Sequence, residues 1–152
     1  MIDLKQIFQG DYYWSFYIEN LKFSFEELKS IVRVDVGHYV EKRGWGTKNI
    51  RLTFRDVCYH SVMSESYISF REEDDWEENL FVAKASSSQL IPSVASYTLL
   101  GAEAVVELSN LSHYRVYGTN HFVDIICTEE PSIIIQDETY NRMQPDAAKP
   151  RR

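Results

Sequence analysis

The chain has 152 residues and a mass of 17.8 kDa, the length of one ordinary domain and enough to bury a core without disulfides or metal. Its 44% hydrophobic and 26% charged residues exclude wholesale disorder, and no apolar run approaches the roughly 18 residues of a membrane-crossing helix. A net charge of −7 opposes attraction to phosphate backbones and to anionic lipid, so neither nucleic acid nor a membrane is expected as a partner.

Met1 to Lys5 lacks the basic start and apolar stretch of a secretory signal. Cys58 and Cys127 stand alone in apolar surroundings, outside any C-x-x-C pair. Together these point to a cytoplasmic protein with two reduced, buried thiols.

In chain order, Leu4, Ile7 and Phe8 share a helical face, which predicts one or two turns over residues 2–9, stopped by Gly10. Tyr12, Trp14, Phe16 and Ile18 then alternate. Alternation resumes at Leu21, Phe23 and Phe25, so two strands joined by a tight turn at Glu19-Asn20 are expected. Ser24 is a candidate cap for a short helix over residues 25–29, but Val32, Val34 and Val36 at period two predict a strand reaching Val40. Turn residues follow over 43–47, and Ile50, Leu52 and Phe54 form a return strand with one wet face.

A strand is expected over 67–71, and Leu80 to Ala83 pairs back across a charged loop. Ser86 to Ser88 can cap a short helix through Leu90 and Ile91, with irregular chain around Pro92. Val105 to Leu108 is apolar without a decisive period. His113 to Tyr117, a Gly118-Thr119-Asn120 turn and Phe122 to Cys127 read as a hairpin, and Ile133 to Ile135 as a last buried strand. The expected fold is mainly β, with α+β admitted: a single domain over residues 1–138 and a loose basic tail over 139–152. About nine antiparallel strands in a meander must curl into a barrel-like or two-layer sheet, with one or two short helices.

The sharpest local anomaly is Glu72-Glu73-Asp74-Asp75-Trp76-Glu77-Glu78. From Glu65 to Leu80 seven acidic side chains stand against one basic one, Arg71, so this stretch alone carries −6. Like charges this dense belong in water or opposite something positive. The bland reading is a solvated loop. The sharper one is a recognition surface for a basic protein, with Trp76 as its anchor inside a charged rim. The run lacks the alternating acids and turn glycine of a calcium loop.

His38, His60, His113 and His121 form no metal-ligand spacing, and each reads as a core-rim histidine bonded to backbone, so no metal and no cofactor are expected. An enzyme reading places His113 as base, Arg115 as anion clamp and Glu107 as partner in a hydrolase or nuclease site. It needs the three to converge in a cleft, and no nucleophile or phosphate-loop motif supports it, so no catalytic residue is assigned.

Residues 111–133, LSHYRVYGTNHFVDIICTEEPSI, resemble the ending of a group of small, uncharacterised bacterial proteins. That group closes with a His-Tyr strand, a turn containing Asn, a strand with an acid among aliphatics, and a Pro. Ile50 to Val57 and Ser88 to Ile91 are similar in placement. The resemblance implies a fold and a bacterial origin, with no activity attached. Some small acidic bacterial proteins act as immunity proteins that neutralise toxins, which is an analogy of size and charge. The resulting expectation is a non-catalytic, immunity-like or regulatory binding domain. The alternatives are a small hydrolase centred on His113 and a self-associating structural protein whose strand edges meet in a homo-oligomer.

Overall fold

The computed structural model describes residues 1–39, 49–64, 75–98 and 107–136. The strand expected over 67–71, the run from Val105 to Val106, residues 40–48 and the C-terminal tail lie outside them. Nine antiparallel strands are described, in two sheets facing each other: the two-layer arrangement, not a closed barrel. β1 (Phe16–Glu26), β2 (Lys29–His38), β3 (Asn49–Arg55) and β9 (Ser132–Gln136) form the first sheet, in that order. The second runs β4 (Val57–Ser64), β8 (His121–Cys127), β7 (Ser112–Tyr117), β6 (Val82–Ser87) and β5 (Asp75–Asn79).

The alternation explains the layering. Val32, Val34, Val36, Ile50, Leu52 and Phe54 point from the first sheet into the core and meet Val82, Tyr114, Val116, Val123 and Ile125 of the second. The first helix, α1 (Leu4–Ile7), is capped by the Asp3 carboxylate, which accepts from the Gln6 N–H at 3.2 Å. It lowers Leu4 and, just past its end, Phe8 into the same core. Asn79 ties this segment to β5: its side chain accepts from the Leu4 N–H and donates to the Ile2 carbonyl, both at 2.8 Å.

Several local expectations change. Tyr13–Ser15 forms a 3₁₀ turn, and the two strands placed on either side of Glu19-Asn20 are one strand, β1, with a bulge between Ile18 and Asn20. A bulge inserts one residue and flips the inward parity, which a turn also does, so the sequence pattern cannot separate them. The bulged backbone is held by Asn120, whose side chain accepts from the Ile18 N–H at 2.9 Å and donates to its carbonyl at 2.8 Å. Where Ser24 suggested a capped helix there is a two-residue hairpin turn, Glu27-Leu28, both at positive φ (50° and 66°).

The chain around Pro92 is a helix, α2 (Leu90–Ala95), with the proline in its first turn, where its missing N–H costs nothing. β9 is only half buried: Ile133 and Ile135 pack against the core, but Ile134 stands beside Arg51 on the outer face of the first sheet and is 53% exposed. Cys127 is buried as expected, but Cys58 is exposed.

β3 and β4 belong to different sheets yet are separated by a single residue, Asp56, at φ 55°. A short polar side chain tolerates that left-handed geometry, and the Thr128 hydroxyl donates to the Asp56 carboxylate at 2.6 Å to pin the corner. No described helix is long and apolar enough to cross a membrane.

Candidate functional site

The acidic run divides at the boundary of the described residues. Glu72, Glu73 and Asp74 lie outside them. Asp75, Trp76, Glu77 and Glu78 form most of β5, the outermost strand of the second sheet among the described residues, where the sequence suggests a loop. High charge and low apolar content hide such a strand from periodicity arguments; charged side chains are also what an unpaired edge needs to resist pairing with other chains.

Asp75, Glu77 and Glu78 are exposed, while Trp76 is half-buried. The ladder explains the difference. Trp76 and Glu78 oppose Ala85 and Ala83 of β6, and Ala83 opposes Arg115 of β7, so these side chains share the face turned away from the core. The two alanines leave room for the indole to fold inward along the sheet. Its ring lies 5.0 Å from the Arg115 guanidinium carbon and 5.0 Å from the His113 ring, edge to face. Trp76 therefore covers polar side chains of its own fold, and the exposed aromatic surface nearby is a stack of Tyr12 on Trp14, with centroids 4.2 Å apart and exposures of 59% and 55%.

Beneath Trp76 runs a chain of hydrogen bonds. Asp124 of β8 stands opposite Arg115 of β7 and accepts from its Nε at 2.9 Å and its Nη2 at 3.1 Å. The same carboxylate meets His113 Nε2 at 2.8 Å, and His113 Nδ1 meets the Ser88 hydroxyl at 2.8 Å. A carboxylate only accepts, so Nε2 carries the proton and, in the neutral ring, Nδ1 accepts from Ser88. The Ser88 oxygen in turn accepts from the Ile91 N–H at 3.3 Å, which makes it the cap that the serine run suggested. Burial pushes the Asp124 carboxyl up, but the hydrogen bonds and charges of His113 and Arg115 outweigh it and hold the group below its ordinary value.

His113 and Arg115 are thus brought together, but by Asp124 rather than by Glu107, which is exposed beside a 3₁₀ turn. Both are sealed, at 2% and 6% exposure. His113 bonds side chains where backbone partners were expected. Spacing along the chain carries no signal for Asp124 and Ser88, because only the β7–β8 register and the fold-back of α2 bring them to the ring. His121 is paired with Ser64 at the far end of β8 and is no partner of His113. Among the described residues no three His, Cys, Asp or Glu side chains gather into a metal site.

Comparisons of the chain with protein-family models, with curated proteins and with solved structures return no match.

Proposed function

We propose that this chain is a non-catalytic binding domain that meets a basic protein surface through its acidic edge, an immunity-like or regulatory binder of bacterial type. The observation that carries the reading is that Asp75, Glu77 and Glu78 are all exposed on the strand that is outermost among the described residues. Their strand is tied to the sheet by Trp76, which packs on Arg115 of β7. A compact negative field of this kind speeds encounter with a positive partner and makes binding salt-sensitive.

The test is capture of partner by the full chain and by a Glu72→Gln/Asp74→Asn/Glu77→Gln variant, at low and high salt. The expected result is strong capture by the wild type at low salt, lost in high salt, and weak, salt-insensitive capture by the variant. Equal capture by both, with equal salt dependence, overturns the reading.

A second reading is favoured by the Ser88–His113–Asp124 chain of hydrogen bonds, which is the arrangement a hydrolase uses to activate a serine. Against it stand the sealing of His113 and the use of the Ser88 oxygen as a helix cap. Covalent labelling of Ser88 by a fluorophosphonate, absent in Ser88→Ala, would favour it over the binding reading. Self-association through the strand edges is the third reading, and sedimentation equilibrium of the free chain separates it from a monomeric binder.

A further inference from the structure

The acidic edge borders a concavity. A groove of about 470 Å³ opens between the end of α1, the chain entering the 3₁₀ turn and the β5–β6 turn. It is lined by the aromatic residues Phe8, Tyr12, Tyr13 and Tyr117 and by the acidic residues Asp11 and Glu78. The volume is that of clefts which enclose small ligands, commonly about 300–1,000 Å³.

The rings are not loose. Tyr12 is stacked on Trp14, Tyr13 meets the edge of Trp14 at 5.4 Å, and Tyr13 and Tyr117 lie 5.4 Å apart. Burial and the neighbouring Glu78 push the Tyr117 hydroxyl up, so it stays neutral.

Aromatic faces carry negative potential, and carboxylates beside them complete a surround that favours a cation. A planar guanidinium suits it better than a compact ammonium: it stacks on rings and bonds carboxylates with several donors at once. Asp11 is shared with His38, its carboxylate 3.2 Å from Nε2, whereas Glu78 has no ion pair among the described residues. Lys5 also lines the groove and is the internal competitor for its charge. We propose that this groove receives an arginine side chain of the partner protein, with Glu78 as its carboxylate and the tyrosine rings as its walls. The identity of the donor rests on the acidic-edge reading; the groove's preference for a guanidinium does not.

The test titrates the full chain with N-acetyl-arginine amide and with N-acetyl-citrulline amide, its neutral isostere, followed by NMR of the aromatic side chains. The arginine amide is expected to saturate with a Kd on the order of 1 mM and to bind about tenfold more tightly than citrulline. Glu78→Gln weakens the arginine amide about tenfold and leaves citrulline unchanged. Tyr12→Ala, at an exposed position that the core does not need, weakens arginine binding with the circular dichroism intact. Lys5→Gln strengthens it. Equal binding of the two amides, or arginine binding untouched by Glu78→Gln, overturns the proposal. The Glu72→Gln/Asp74→Asn/Glu77→Gln variant keeps Glu78 and the rings and must still bind the arginine amide. If it does so while partner capture is also unchanged, the acidic-edge reading fails and the groove assignment stands.

Discussion

Replacing Asp124 by Ala removes the acceptor for three charge-assisted hydrogen bonds, at 2.8, 2.9 and 3.1 Å. The guanidinium of Arg115 is left without its counter-charge at 6% exposure, and the His113 Nε2–H without an acceptor at 2%. Each bond contributes roughly 1.5–3 kcal/mol, but the bonds are not additive, and the carboxylate's own desolvation cost disappears with it. The expected net loss is about 3–5 kcal/mol, the cost of orphaning one partner of a buried pair, against a total stability of roughly 5–15 kcal/mol. For a domain of this length that lowers Tm by about 10 °C.

Denaturant and thermal unfolding followed by circular dichroism measure the loss. An Asp124→Leu/Arg115→Met double variant removes both charges and is expected to recover at least half of it. The pH dependence follows from the lowered Asp124 pKa. Its folded value lies below the unfolded one, near 3.9, so its stabilisation is complete above that value and is lost as pH falls through the folded value. The advantage of the wild type over Asp124→Asn therefore shrinks below about pH 4. A loss under about 1 kcal/mol for Asp124→Ala, or a double variant no more stable than the single, would refute the claim that this buried network holds β7, β8 and β5 together.

The β1–β2 turn places Glu27 and Leu28 at positive φ, with Leu28 101% exposed, so Glu27→Asn/Leu28→Gly relieves left-handed strain without losing packing. It is expected to raise stability by about 1 kcal/mol in chemical denaturation. Gly118→Ala would put a Cβ 2.7 Å from the Phe16 carbonyl oxygen and 2.9 Å from the Tyr17 Cα, both backbone atoms that cannot swing aside. A loss of about 1–3 kcal/mol is expected in the same assay. Burial pushes the Cys127 thiol up to about 12; the Cys58 thiol is also raised, by partial burial and by Asp56, but it is exposed and so open to reagent. A thiol reagent at neutral pH should label Cys58 in the native protein, as read by mass spectrometry, and reach Cys127 only on unfolding.

The alternation of Val32-Val34-Val36 and of Ile50-Leu52-Phe54 placed two strands correctly because each has one face in the core and one in water, and side-chain direction repeats every second residue. The His113–Cys127 hairpin was equally plain, since a Gly/Asn turn interrupts two apolar runs. β4 carries no such signal: Cys58, Tyr59, His60 and Ser61 show no clean alternation, for this strand is wet along much of its length. β5 carries none because its content is acidic and its single large apolar side chain packs on an arginine rather than on the aliphatic core.

The candidate site was legible only as a list of residue types. Acidity from Glu72 to Glu78 is a property of composition and survives any fold. Which members of that run face water was decided by β5 taking the edge of the second sheet with Ala83 and Ala85 beside it. Likewise, the sequence alone determined that alternating strands would stack in layers, because local backbone geometry and apolar burial are written residue by residue. The meeting of Ser88, His113, Asp124 and Arg115, and of Glu78 with the tyrosines of the N-terminal segment, belongs to the tertiary structure. Arg115 and His113 reach Asp124 across a single hairpin, so only its register had to be settled by the fold, whereas Ser88 and the groove between Glu78 and the N-terminal tyrosines are brought in by sheet packing that no local pattern encodes.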